Sequence, residues 1–372
     1  MTTLRLGIVG LGNMGQVHAR SILAGKVPRV ELTAVADAQP ARLAAFPDVP
    51  GFTEVRDLIR SKRVDAVLIA TPHYHHTPAG IAVLRAGLHL LIEKPISVHK
   101  ADCEKLVAAH QGRGQVFAAM FNQRTDPLYQ KLRELIQSGT LGEIRRVNWI
   151  ITDWFRSHAY YASSGWRATW AGEGGGVLLN QCPHNLDLLQ WLFGMPTRVR
   201  GFCQFGRYHP IEVEDDVTAY FELPGGAHAV FIASTGEAPG TNRLEVAAEG
   251  GKVVVEAGRL VFTQNAMPMS QFSATTKESF VAPANREVPL VIERRTEQHV
   301  AIIQNFAAAI LDGAPLIAPA AEGVNSVELA NSILLSSWTG KAVELPMSGA
   351  RYARWLQRKS AASPLTRRES IA

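Results

Sequence analysis

The sequence predicts an α/β chain: a doubly wound parallel-sheet domain over residues 1–122, then an α+β domain with a large, mostly antiparallel sheet over 123–345. Short apolar, β-branched runs alternate with helical patterns through the first third, as parallel βαβ units require. Further along, strand candidates follow one another with Gly-Gly pairs between them, as antiparallel hairpins do. The length of 372 residues suits two domains at roughly 100–200 residues each. Residues 346–372 read as a basic tail.

In the first part, Leu4–Val9 reads as a strand, Met14–Ala24 as a helix and Glu31–Ala36 as a strand. Val64–Ala70 and His89–Ile92 are further strands, with the helix Thr77–Ala86 between them. Lys100–His110 is helical and Gln115–Met120 extended, while Pro72 and Gly87 punctuate a strand end and a helix end. From about Phe121 the pattern changes. The helix Pro127–Gln137 stops at Ser138-Gly139, a long strand follows at Glu143–Trp154, and Leu186, Leu189 and Leu192 make His184–Phe193 helical. Strands are expected at Val199–Phe205, Val217–Leu223, Ala229–Ala233, Arg243–Ala248, Lys252–Glu256 and Arg259–Phe262, with hairpins at Gly225-Gly226 and Gly250-Gly251. Asn265–Pro289 keeps no period and reads as an excursion loop with room for one short strand. The helices Glu297–Leu311 and Glu322–Ser336 then close the second domain.

Hydrophobic residues at 47% and charged residues at 19% exclude a disordered chain. No apolar run reaches the ~18 residues of a membrane span, and the first residues lead straight into a strand with no signal peptide. Cys103, Cys182 and Cys203 lack C-x-x-C spacing, so neither a disulfide framework nor a zinc site is expected. A cytoplasmic protein without metal or membrane partner is the expectation. The net charge of +5 has a local origin: six basic residues against one acid from Arg351 onward leave residues 1–350 balanced. The basic character thus belongs to a tail, solvated or held by an anionic partner, in which Tyr352, Trp355 and Leu356 could dock on the body as a short amphipathic helix, and no nucleic-acid module is present.

Gly10-Leu11-Gly12-Asn13-Met14-Gly15 follows an apolar strand and opens a helix, the context that gives a G-x-G-x-x-G weight. Gly10 suits the tight turn, Gly12 the approach of a pyrophosphate and Gly15 close packing of helix on strand. Asp37 ends the second strand 22 residues after Gly15, where a carboxylate bonds a ribose and repels a 2′-phosphate. NAD is therefore expected over NADP, in a Rossmann-type domain.

Ligands gather outside the carboxyl ends of such strands. Thr71-Pro72-His73-Tyr74-His75-His76 and Glu93-Lys94-Pro95 fall there. The histidines share one turn with no fourth ligand, so Thr71, Pro72, His73 and His76 are read as touching the nicotinamide end of a cofactor or as loop packing. Lys94 is either a solvent-facing lysine or one that polarises a substrate hydroxyl. In the second domain, Gly174-Gly175-Gly176 lets backbone pass close to a ligand or to another strand. His184 and Asp187 share a helix face, either as an imidazole oriented by a carboxylate or as a buried structural pair. The aromatic and basic segment Trp154–Trp170 suits either stacking on a pyranose or plugging an interface.

Taken together, these motifs resemble the glucose–fructose oxidoreductase / inositol dehydrogenase / rhizopine-catabolism (Gfo/Idh/MocA) family over nearly the whole chain, to about residue 345. The resemblance rests on GLGNMG, the acid ending the second strand, TPHYHH, the E-K-P tripeptide, Gly139-Thr140-Leu141-Gly142-Glu143-Ile144, Trp166-Arg167 and the GGG…HxxD segment. It implies NAD(P)-dependent oxidation or reduction of a secondary alcohol on a sugar, glycoside or cyclitol. It further implies that Lys94 and His184 are catalytic and that Gly10, Gly12, Asn13, Met14, Gly15, Asp37, Thr71, Pro72, His73, His76, Glu93, Lys94 and Asn122 line the cofactor. Asn180, Arg167, Arg124, Tyr160, Trp166 and Asp187 are implied as substrate contacts. A homodimer or homotetramer through the C-terminal sheet is implied as well. One departure stands out: many family dehydrogenases carry an aspartate four residues before the histidine, where this chain has Asn180. An amide exchanges no proton, so a Lys–Asp–His relay is not available. Beside the dehydrogenase stand a redox glycosidase with retained NAD and a non-catalytic NAD- and sugar-sensing regulator.

Overall fold

In the computed structural model, which describes residues 2–110, 112, 114–293 and 297–363, the chain builds two sheets. The first holds β1 (Leu4–Val9), β2 (Val30–Ala36), β3 (Gly51–Phe52), β4 (Ala66–Ile69), β5 (His89–Ile92) and β6 (Phe117–Ala119). Their order is β3-β2-β1-β4-β5-β6, and every pair is parallel. Helices cover both faces, so β4 (Ala-Val-Leu-Ile) is buried at every position rather than alternating. The strand order reverses between β1 and β4. The crevice there opens at the carboxyl ends of the strands, where Gly10, Asp37, Thr71 and Glu93-Lys94 emerge.

The second sheet holds β7 (Ile144–Ile151), β8 (Arg198–Phe205), β9 (Glu214–Glu222), β10 (His228–Ser234), β11 (Asn242–Ala248), β12 (Gly251–Glu256), β13 (Arg259–Asn265), β14 (Asn285–Val288) and β15 (Val343–Glu344). Its order is β14-β13-β12-β11-β7-β10-β9-β8-β15, antiparallel except where β10 lies parallel to β7. One face is covered and one is open. Along β9, Val217, Ala219 and Phe221 are buried while Thr218 and Tyr220 are exposed. The expected hairpins join β9 to β10 and β11 to β12.

The longer elements lie where their periodicity places them, with ends shifted by a few residues. The helix after β4 is an exception: it starts at His73, four residues before Thr77, and carries Pro78 inside it. Thr77-Pro78 imitates a cap and first helical residue, but the helix begins at Pro72, whose fixed φ suits its N-terminus. Helices at 40–43, 55–60, 158–162 and 177–180, and the strands β3 and β15, are too short to show a period. The excursion 265–289 holds β14 and a helix, Met269–Thr275.

Two expectations about the C-terminal part are corrected. The helix Gln298–Asp312 does not close the second domain. Val300, Ile303 and Phe306 pack into the core of the first sheet, with Leu6, Ile8 and Leu91. Its apolar stripe fits either core, and sequence carries no address to tell them apart. Nor is 346–372 a solvated tail over its described part. Gly349–Ala361 is a helix with Tyr352 and Leu356 buried in the second core. Trp338 stacks on Tyr352 at 5.5 Å and meets Trp170 edge-on at 5.3 Å. Residues 364–372, including Arg367 and Arg368, lie outside the described residues. Leu356→Ala should therefore destabilise the protein by about 2–5 kcal/mol, measured by urea denaturation. A cost near zero would mean that the helix does not dock.

Candidate active site

The glycine motif divides its labour. Gly10 sits at φ +90°, and a Cβ there would lie 2.7 Å from the carbonyl oxygen of Ala70. A Cβ on Gly15 would overlap the carbonyl of Gly10, so the first helical turn rides against the β1 loop. Gly12 has nothing within 4 Å of where its Cβ would be, which leaves an open cradle. The helix Asn13–Leu23 starts there with no side-chain cap and no acid in its first turn, so its N–H groups face that cradle. Buried Asp37 accepts the Leu11 N–H (2.7 Å) and the Gln39 N–H (2.8 Å), which locks β2 to the glycine loop. Oδ1, which takes only the Gln39 N–H, keeps a lone pair for a ribose hydroxyl. Arg42 approaches Asp37 at 3.3 Å. This set fits a dinucleotide: an open backbone cradle for phosphates and a fixed carboxylate beyond it.

Lys94 follows β5, and its Nζ donates to the main-chain oxygen of Asn180 at 2.8 Å. Asn180 ends the short helix Val177–Asn180, and His184 begins the next helix, Pro183–Phe193. Lys94, from the end of a strand of the first sheet, and His184, from a helix of the second half, thus lie close enough for the lysine's charge to act on the imidazole. Burial lowers the Lys94 pKa, while Glu93 and Glu173 pull it back up. Burial also presses His184 well below its ordinary value, and the charge of Lys94 adds to this. Its Nδ1 is buried with no hydrogen-bond partner among the described residues, an orphan that a ligand hydroxyl can complete.

Glu93 lies behind the lysine. Its carboxylate meets His18 Nε2 at 2.7 Å and accepts the Lys94 N–H at 3.1 Å. Burial opposes its charge, but the His18 bond and the charges of His18 and Lys94 outweigh it and bring the pKa to about 2. The histidines after β4 diverge. His73 Nδ1 lies 3.2 Å from the carbonyl of Glu173 and its ring meets Trp166 edge-on, whereas His76 lies between the carbonyls of Thr71 and Pro95, and His75 is exposed. Among the described residues, no three His, Cys, Asp or Glu side chains converge as a metal set.

Over the mouth, Tyr160 donates to Asn180 Oδ1 (3.3 Å) and accepts from Arg167 (2.8 Å), whose guanidinium lies over the Tyr160 and Trp166 rings. Asn122 is buried, with its amide on Gln298. Two implied substrate contacts are corrected. Arg124 is 1% exposed and grips Asp187 with two bonds of 2.7 and 2.6 Å, then reaches Glu322 and the carbonyl of Ile317. A residue so enclosed and so fully bonded has nothing left for a substrate. For the same reason Asp187 does not orient His184. The glycine run also meets protein rather than ligand: a Cβ on Gly174 would strike Val98, and one on Gly176 the backbone of Glu214.

Sequence reading missed Glu173, whose buried carboxylate accepts the amide of Asn180 and the Ala168 N–H (2.7 Å). A signal existed, because it is the only acid between Asp153 and Asp187. His18 and His299 were not singled out either, although His18 bonds the Glu93 carboxylate and His299 packs against the His18 ring.

Two measurements test this arrangement. Arg124→Met leaves a buried carboxylate alone and should cost about 3–5 kcal/mol in urea denaturation. Burial, together with His76 and Lys94, holds His73 near pKa 3 against 6.5 for an ordinary histidine. Below pH 6.5 the unfolded chain takes up a proton that the folded one refuses, so this stability is full above 6.5 and lost as pH falls toward 3. His73→Gln should make stability fall less steeply between pH 6 and 4, by on the order of 1.4 kcal/mol per pH unit. An unchanged slope would contradict the neutral, buried His73.

Comparison with known proteins places both parts of the chain. Residues 4–121 match the oxidoreductase family with an NAD-binding Rossmann fold, and residues 129–254 match the GFO/IDH/MocA C-terminal domain. Inositol 2-dehydrogenase of Rhizobium meliloti is 28% identical over 351 residues, 90% of this chain and 97% of that one. Inositol 2-dehydrogenase of Corynebacterium glutamicum is 31% identical over 197 residues, 52% of this chain and 55% of that one. In such shorter matches the chain spans about half the length of the curated relatives. Among solved structures, the WlbA dehydrogenase from Chromobactrium violaceum in complex with NADH and UDP-GlcNAcA is 25% identical with a TM-score of 0.79, covering 94% of this chain and 97% of that one. With residues 4–121 and 129–254 both matched, the chain belongs to the Gfo/Idh/MocA family of NAD-binding oxidoreductases.

Proposed function

We propose that this protein transfers a hydride between NAD and a secondary alcohol of a sugar, glycoside or cyclitol. The observation that carries this reading is the meeting of Lys94 and His184. One follows a strand of the cofactor-type sheet and bonds the Asn180 carbonyl, and the other lies four residues beyond Asn180 in the first turn of a helix of the second half, where it feels the lysine's charge. NAD, when bound, supplies the hydride acceptor or donor. Gly12 and the N–H groups of Asn13 and Met14 would hold its phosphates, Asp37 its ribose, and Thr71, Pro72, His73 and Asn122 would border its nicotinamide end. His184, kept neutral by burial, takes the proton of the reacting hydroxyl. Lys94 uses the N–H bonds left after Asn180 to hold that oxygen and to stabilise alkoxide charge. Tyr160, Trp166 and Arg167 offer ring faces and donors to the remaining hydroxyls.

The named relatives are dehydrogenases, including inositol dehydrogenases. The retained-NAD glycosidase and the regulator have no observation of their own in their favour. Assembly as a dimer or tetramer through the open face of the second sheet completes the reading, since Phe202 and Tyr220 are exposed there.

A screen of cyclitols, polyols and sugars with NAD, following absorbance of the reduced cofactor, tests the activity. With an accepted substrate, His184→Ala and Lys94→Met should each lose about 10²–10⁴-fold in kcat/KM while still binding NAD. Near-wild-type turnover by both would remove this site from consideration. NAD should also bind more tightly than NADP, as dissociation constants measure, and the reverse order would contradict the role of Asp37.

A further inference from the structure

We propose that Glu173 is a positioning residue of this site, supplying through Asn180 the carboxylate that position 180 itself lacks and serving as the second domain's counter-charge to Lys94. This rests on the oxidoreductase reading above. Glu173 is 2% exposed, one residue before the glycine run. One carboxylate oxygen accepts the Ala168 N–H at 2.7 Å, and the other accepts the side-chain amide of Asn180. Asn180 is the residue through which Lys94 is aimed: its main-chain oxygen takes the ammonium, and its side-chain oxygen takes the Tyr160 hydroxyl. A single carboxylate therefore fixes the lysine's acceptor and one wall of the mouth.

The charge itself is poorly matched where it sits. Its contacts are one backbone N–H, one neutral amide and, at 4.0 Å, the guanidinium of Arg167. Burial raises its pKa for that reason, and Arg167 and Lys94 are the cations that offset the effect. A carboxylate needed only to close the 168–173 turn would serve as well as a glutamine. The placement beside Asn180 gives it a second use. A hydrogen bond between a carboxylate and an amide can be built either way round, with the acid at position 173 and the amide at position 180 or with the two exchanged. The chain carries the first arrangement, with the charge moved seven positions upstream of where the family pattern puts it.

The groups acting on Lys94 come from every element around it. Glu93 precedes it, Arg167 and Glu173 approach from the loop before the glycine run, and Cys182 lies just before the helix of His184. His73, His184 and His299 feel its charge from the helix after β4, the helix 183–193 and the helix 298–312. Removing the charge of Glu173 leaves Glu93 alone against burial and Arg167.

The test follows Lys94 directly, in full-length, cofactor-free protein labelled at lysine ¹³Cε, with its resonance assigned through Lys94→Met. Glu173→Gln should lower the Lys94 pKa by about one unit and move the alkaline limb of kcat/KM in the same direction. Glu173→Gln combined with Asn180→Asp restores the hydrogen bond with the charge on the other side, and should bring the Lys94 pKa and kcat/KM back toward wild type. Asn180→Asp alone sets two carboxylates against each other, so one of them should hold a proton at neutral pH, read by ¹³C carboxyl shifts. A Lys94 titration unmoved by Glu173→Gln, or a double variant no better than that single one, overturns the proposal. If Glu173→Gln does not fold, the double variant decides alone, since it keeps both the bond and the charge. The titration needs no turnover. A shifted Lys94 in a protein that oxidises no screened alcohol would count against the oxidoreductase reading alone, and an active enzyme with an unmoved Lys94 against this inference alone.

Discussion

The buried ion pair of Arg124 and Asp187 holds the site together. Arg124 lies in the turn that leaves the first sheet, and Asp187 lies one helical turn after His184. A guanidinium keeps its charge at any working pH and finds no water there, so the carboxylate must stay opposite it. Two parallel bonds fix direction as well as distance. The helix bearing His184 is thereby registered against the strand ends bearing Lys94. Glu322, just before the helix Gly323–Thr339, adds a third anchor to the same guanidinium. Two residues expected to touch substrate prove to be the joint that holds the contacts in place.

Around that joint, the chain surrounds a small set of charges with apolar wall. Burial alone would neutralise Glu93, Glu173 and Lys94, and it keeps His184 neutral. Glu93 keeps its charge because His18 bonds it, whereas Glu173 has only a backbone N–H, an amide and a distant guanidinium. One lysine is set between carboxylates of unequal support, and its charge reaches a buried imidazole that burial keeps neutral. The low dielectric that makes these charges costly also makes them act on one another over several ångströms.

The C-terminal segment ties the halves together. Lys100, on the first domain, pairs with Glu328 at 2.8 Å and bonds the carbonyl of Met347. Beyond it, the helix Gly349–Ala361 stacks its aromatics on Trp338, while Ser360 reaches the carbonyl of Trp170 in the loop that carries Glu173. Tyr74, from the first turn of the helix after β4, bonds the same carbonyl at 2.8 Å. The loop over the site is thus pinned from both domains.

Whatever is local was legible in the chain alone. Period and punctuation place the parallel strands, the hairpins and the glycine turn, because side-chain alternation and positive φ are properties of a few neighbouring residues. The strand ends then bring Gly10, Asp37, Thr71 and Lys94 to one crevice, since parallel strands all end on the same side. Partnership, by contrast, came from the folded chain. Asp187 sits one turn from His184, as a partner would, yet a buried arginine 63 residues earlier claims it. The helix Gln298–Asp312 has an apolar stripe that either core would accept, and the return path of the chain chose the first. Glu173 pairs across the fold with an amide whose own position raised the question of where the acid had gone. Burial sets how far a charge reaches, and burial depends on every other element being in place.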